Sequence, residues 1–307
     1  MKILLGKALL RAISWLPLWL AHALARPLGW LLRVLPWKKK KVVRRNLELC
    51  FSDRDEAWRE SVFRQSMNSL AFLVAESGAV WHWPRERLLD HVPEVSGREH
   101  VEAALNRGKG LVLAGAHMGN WEILNLYCAT LAPMIALYRA PADPGLDEFI
   151  TGTRQRTGAE LIPSGSFAMR RMIRQLRDGG MIGILCDHQP KQGEGVFAPF
   201  FGVPALTMTL VNRLASRTGC QVIMVSSRRL PGARGWHLYL EPGPEAIADP
   251  DPAVGCAAMN RALESQILRA PGDYLWLYKR FGIRPPGQSD LYGRSRASQR
   301  RKGRKEA

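Results

Sequence analysis

The sequence is that of an α/β protein with a mixed central sheet flanked by helices, preceded by an N-terminal hydrophobic membrane-anchor helix. Two observations lead to this class. From residue 107 to about residue 268, short apolar runs bounded by turn signals alternate with helical stretches, which implies a sheet covered on both faces. Ahead of them lies an apolar stretch, residues 3–36, carrying Trp15, Trp19 and Trp30 and closed by a basic cluster.

Taken in order, the apolar stretch comes first. Its longest run without Lys, Arg, Asp or Glu is Ala12 to Ala25, fourteen residues, whereas a spanning helix needs about 20. Spanning would require Arg26 and Arg33 to snorkel. A helix lying in the interface, or an ordinary buried amphipathic helix, fits the same residues. There is no small-residue cleavage site after a short apolar core, which argues against a removable signal peptide. Residues 46–80 read as one helix, with Val62, Phe63, Met67, Leu70, Phe72 and Leu73 at helical spacing. Strands are predicted at 110–115, 134–138, 159–162, 180–186, 221–226 and 236–241. Helices are predicted at 120–131, 145–157, 169–177, 207–217 and 253–268. The organisation expected is an anchor at 1–37, a catalytic domain at 38–284 and a basic, disordered tail at 285–307.

Charge and cysteine usage narrow the function. The 307 residues carry a net charge of +17, with a pI near 10.2, and demand an anionic partner. Lys38, Lys39, Lys40, Lys41, Arg44 and Arg45 supply +6, and the tail supplies +5. The first cluster should face anionic lipid on the cytoplasmic side. A nucleic-acid binder would instead interleave basic and aromatic residues over one surface, so no nucleic-acid partner is expected. The five cysteines are scattered, with no Cys-x-x-Cys pair, which argues against disulfides and zinc and for a reducing compartment.

The stretch Ala114-Gly-Ala-His117-Met-Gly-Asn-Trp-Glu122 carries the chemistry. His117 follows a buried strand, and Glu122 falls in the first helical turn, where the dipole favours a carboxylate. With a turn at Gly119 and Asn120, the two side chains are expected to meet. Histidine would take a proton from an attacking hydroxyl while the carboxylate fixes its tautomer. Tyr138-Arg139 closes another strand, and Arg154 and Arg156 end the next helix; arginine forks onto phosphate bidentately, though each could equally be a solvated residue. Asp187-His188-Gln189-Pro190 follows a buried strand, where α/β ligand sites gather, or is an ordinary capped turn. The Phe- and Pro-rich run at 196–205 suits either a hydrophobic gate or plain core packing.

In this order and spacing the segments, with Phe200-Phe-Gly-x-Pro-Ala205 and Tyr274-Leu-Trp-Leu-Tyr-Lys-Arg280-Phe281, resemble the bacterial lipid A late (lauroyl/myristoyl) acyltransferase family. That family sits among the His-x4-acid glycerolipid acyltransferases. The resemblance runs to about residue 284. It implies an inner-membrane enzyme, its catalytic domain facing the cytoplasm, that moves an acyl chain from acyl carrier protein or coenzyme A to a hydroxyl of a lipid A precursor in lipopolysaccharide biosynthesis. By that likeness His117 is the general base and Glu122 its orienter. Arg154 or Arg156 contacts phosphate or oxyanion, Arg139 binds substrate, and Asp187 supports the site. No metal and no further cofactor are implied, and transfer is direct. Expected partners are acyl carrier protein, an anionic lipid acceptor and the membrane surface. Two other readings stay open: a same-fold acyltransferase for an ornithine lipid or glycolipid, and a membrane-tethered polyanion-binding protein.

Overall fold

The computed structural model describes residues 2–138, 140, 143–155, 158–163 and 166–293. The apolar amino terminus forms two helices, α1 (Lys2–Ile13) and α2 (Leu18–Val34), not the single anchor helix expected. Pro17 explains the break. It has no N–H to donate, and it disfavours helical backbone in the residue before it. Among the described residues no helix is long and apolar enough to cross a membrane. The expected helix at 46–80 is likewise two, α3 (Lys38–Cys50) and α4 (Glu56–His82). Asp55 separates them by capping α4, accepting from Trp58 N at 2.7 Å. On α2, Leu18, Ala21, His22, Ala25 and Gly29 are buried. The contact with α4 is close enough that a Cβ on Gly29 would strike Asn68.

The elements that follow are α5 (Arg85–Leu89), β1 (Glu94–Ser96), α6 (Arg98–Asn106), β2 (Leu111–Gly115), α7 (Trp121–Cys128), β3 (Met134–Tyr138), α8 (Pro144–Gln155), β4 (Ala159–Pro163), α9 (Ser166–Arg177) and β5 (Met181–Leu185). Then come β6 (Gly195–Phe200), β7 (Val203–Met208), α10 (Leu210–Thr218), β8 (Gln221–Arg229), β9 (Trp236–Pro242) and α11 (Pro252–Arg269). Seven strands form one sheet in the order β1-β9-β8-β2-β5-β3-β4. Every pairing is parallel except β8 with β9, so the sheet is mixed, as the sequence predicts. Successive side chains on a strand face opposite ways. Val112 and Ala114 therefore join the core shared with α3, α4, α9, α10 and α11. Leu111 and Leu113 join the core beneath α2, α6 and α7.

Two sequence expectations are revised here. The Phe-rich run is a separate antiparallel hairpin of β6 and β7. Phe200 is fully buried, and Phe201 packs on Phe51 at 5.0 Å. Phe200 and Phe201 thus follow the core-packing alternative of the sequence reading. The tail assigned as disordered begins with an ordered piece: Leu291 O accepts from Arg45 Nε at 2.8 Å and Tyr292 Oη donates to Asn46. These contacts fasten residues up to 293 to α3, and residues 294–307 lie outside the described part of the chain.

Candidate active site

Parallel register builds the centre of the site. Gly115 at the end of β2 is level with Leu185 at the end of the adjacent β5. Two residues beyond each of them stand His117 and Asp187, so the two must meet at the carboxyl edge of the sheet, where α/β ligand sites form. They do. His117 Nδ1 lies 2.8 Å from Asp187 Oδ1, and the His117 backbone N–H donates to Asp187 Oδ2 at 3.2 Å. Asp187 is buried, which by itself would raise its pKa. The His117 imidazole and its two hydrogen bonds outweigh burial and hold the carboxyl down at about 2. An ionised Asp187 accepting at Nδ1 leaves Nε2 of neutral His117 free of a proton, the form a base requires.

The ring of His117 is fixed on both faces. His188 stacks on it with centroids 3.9 Å apart and planes at 7°, and Trp121 meets it edge-on at 4.9 Å. Tyr278 closes over His188 at 3.8 Å. Burial lowers the His188 pKa to about 4, against the pull of Asp187, so His188 is neutral at pH 7. His117, Asp187 and His188 are a set of metal-type donors within 4.8 Å of one another. Both Asp187 oxygens are engaged by His117.

Glu122 is elsewhere. The expected contact between His117 and Glu122 is replaced by the one between His117 and Asp187, while Glu122 takes Arg154 of α8. Arg154 Nε donates to Oε2 at 2.9 Å and to Oε1 at 3.2 Å, and Nη2 also bonds Oε1. The Glu122 carboxylate raises the Arg154 pKa although burial works against it. Of the other arginines singled out in the sequence, Arg139 and Arg156 lie outside the described residues.

The loop between His117 and Glu122 is held at nearly every backbone group. Leu275 N donates to His117 O at 2.9 Å, and Gly119 N donates to Asp273 O at 3.0 Å. Asn120 N donates to Ser227 Oγ at 2.8 Å, and Gly119 O accepts from Arg229 Nη2 at 3.1 Å. Gly119 has φ +60°, and a Cβ there would collide with Ser227 O, so only glycine fits. Behind the loop lies a buried network that sequence reasoning missed. Arg229 clamps Glu76 through Nε at 2.7 Å and Nη2 at 2.9 Å, Asn120 Nδ2 donates to Glu76 Oε2 at 3.0 Å, and His22 of α2 reaches Glu76 Oε1 at 2.8 Å. Burial would raise the Glu76 pKa, yet Arg229 and His22 hold it low.

His117, Glu122, Arg154 and Tyr138 line the mouth of a cleft of about 370 Å³. It runs between α7 and the sheet into an apolar interior that includes Leu113, Leu124, Ala136 and Leu161. Cys128 lines its far end, where burial pushes the thiol to about 12; it is no nucleophile at neutral pH. A histidine oriented by a carboxylate at an apolar cleft is able to act as a general base toward a hydroxyl.

The comparisons with known proteins make the class specific. The family described as bacterial lipid A biosynthesis acyltransferase matches residues 1–282. The chain is 31% identical to the lipid A biosynthesis lauroyltransferase of Escherichia coli (strain K12) over 290 residues, 94% of each chain. It is 30% identical to the palmitoleoyltransferase of the same strain, over 83% of this chain and 82% of that one. To that strain's myristoyltransferase it is 22% identical, over 81% and 77%. The protein belongs to the bacterial lipid A biosynthesis acyltransferase family and is an acyltransferase.

Proposed function

We propose that this enzyme transfers a fatty acyl chain from the thioester of acyl carrier protein, or of coenzyme A, to a hydroxyl of a phosphorylated lipid A precursor. The observation that carries this reading is the His117–Asp187 pair opening directly onto an apolar cleft. The acceptor hydroxyl stands at His117 Nε2 and gives up its proton as its oxygen attacks the thioester carbonyl. Asp187 steadies the imidazolium that forms. When the tetrahedral intermediate collapses, the C–S bond breaks and the departing thiolate takes that proton back. Asp187, not Glu122, is the orienter in this scheme. Glu122 and Arg154 form the opposite lip of the mouth, where Arg154 adds positive charge for a phosphate or a developing oxyanion.

The enzyme works from the surface of the inner membrane, with its catalytic domain on the cytoplasmic side. What supports this is the exposure of Leu9 on α1, Trp15 in the turn that follows, and Trp19, Leu24, Trp30 and Val34 on α2. Exposed apolar side chains beside the Lys38–Lys41 cluster suit a helix pair lying in an anionic interface. The reading is tested by incubating purified enzyme with acyl-loaded carrier protein and a tetra-acylated lipid A precursor, beside His117→Ala. A one-acyl mass gain that falls by about 100- to 10,000-fold in the variant is the expected result. No gain with any donor refutes the assigned substrates, and a gain surviving in His117→Ala refutes the base.

A further inference from the structure

The cleft has a floor, and its depth selects a chain length. β3 runs along one wall from Tyr138 at the rim to Met134 at the bottom. Four residues of strand span about 13 Å at ~3.3 Å per residue. On the opposite wall α7 runs from Glu122 at the mouth to Cys128 at the far end, about 9 Å at ~1.5 Å per residue. On the sheet side the lining reaches down to the level shared by Leu113, Ala136 and Gly183, and Met134, two residues lower on β3, lines the cleft as well. Gly183 lacks a side chain where Met134 needs room: a Cβ there would strike Met134 Cε. The Met134 side chain therefore rises from its own level to that of Gly183 and closes the cleft there.

Resting on the functional reading above, we infer that Met134 and Cys128 are the floor of the donor's acyl pocket and set the longest chain it holds. His117 stands two residues above the level of Gly115 and Leu185, the rim. The interior facing the chain is largely apolar, with Asn125 as a polar side chain of α7 and the Cys128 thiol kept neutral by burial.

The test moves the floor in opposite directions. Met134→Ala deepens the pocket, and Ala136→Leu fills it at mid-depth. Carrier protein loaded with chains from about eight to sixteen carbons is offered with the lipid A precursor, and kcat/KM is read for each length. Met134→Ala should move the best donor up by about two carbons. Ala136→Leu should cut turnover of the wild-type's best donor by about 10- to 200-fold while sparing donors four carbons shorter, the scale of methylene discrimination in an apolar pocket. Opposite shifts cannot come from misfolding. Both variants keeping the wild-type length profile, at whatever absolute rate, overturns the proposal. Should the wild type transfer no chain, the functional reading fails, and the pocket is judged by fatty acids of the same lengths displacing a fluorescent fatty acid. The same opposite shifts then uphold the floor, and their absence overturns it.

Discussion

Replacing Asp187 by asparagine tests which carboxylate serves the base. In the wild type both oxygens of Asp187 accept, one from Nδ1 and one from the backbone N–H of His117. An asparagine has one acceptor and one donor for these two places. With the backbone N–H fixed by the loop, the amide oxygen stays there and the NH₂ faces Nδ1, which must then accept. The proton moves to Nε2, and the nitrogen facing the substrate can no longer take one. The substitution also removes the charge opposite the imidazolium. At about 4 Å and an effective dielectric of ~20, a unit charge is worth about 4 kcal/mol. Losing that much transition-state stabilisation lowers kcat by about 10³-fold. Glu122→Gln instead weakens the bond to Arg154, a charge-assisted hydrogen bond of ~1.5–3 kcal/mol, or about 10- to 150-fold. Single-turnover acyl transfer followed by mass spectrometry reads both. Asp187→Asn within tenfold of wild type beside a Glu122→Gln loss above 10³-fold would refute the assignment and restore Glu122 as orienter.

Further outcomes follow from the same geometry. His188 has its folded pKa lowered from 6.5 to about 4, so below pH 6.5 the unfolded chain binds a proton that the folded one refuses. Stability should fall by up to about 3 kcal/mol between pH 6.5 and 4, and His188→Gln should flatten that part of a Tm-against-pH curve. Asp187, held at about 2, contributes stability that is present above pH 4 and lost as pH falls through 2; Asp187→Asn should remove that acid limb. Glu76→Gln leaves the buried guanidinium of Arg229 with only its longer, 3.4 Å pair to Asp273 and should cost about 3 kcal/mol in urea unfolding, the lower end for a broken buried pair. Trp19→Ala and Trp30→Ala should each weaken binding to anionic vesicles by about tenfold, the scale of burying one large apolar side chain, with turnover of a detergent-solubilised acceptor unchanged.

What the sequence made legible is what local pattern determines. Continuous apolar runs such as Leu111–Gly115 and Met181–Leu185 could only be buried strands, and each appears within a residue or two of its expected position. β1, only three residues long at a sheet edge, has too little pattern to read. The hairpin of β6 and β7 was hidden because Pro199 and Pro204 interrupt it, and they are tolerated as a mutually paired couple outside the main sheet. Glu76 sits in the helical run Phe72-Leu-Val-Ala-Glu-Ser-Gly-Ala-Val80, which carries no mark of its partners. Its burial is decided by His22, Asn120 and Arg229, which lie from 44 to 153 positions away in sequence.

The site itself divides along the same line. His117 and Asp187 were both visible as polar residues just past buried strands, but their pairing depends on β2 lying next to β5 in register, which no local pattern reveals. The spacing from His117 to Glu122 suggested contact because a turn at Gly119 can fold the chain back. The turn exists, yet bonds from Asp273, Leu275, Ser227 and Arg229 pin its backbone, and that fixes the direction in which α7 departs. Glu122 is carried across the cleft to Arg154 while His117 stays over β5. A short His-to-acid spacing here produces the two lips of one mouth, with the His117–Asp187 pair on the first and the Glu122–Arg154 ion pair on the second. In the proposed reaction the gap between them is where the acceptor hydroxyl meets the thioester.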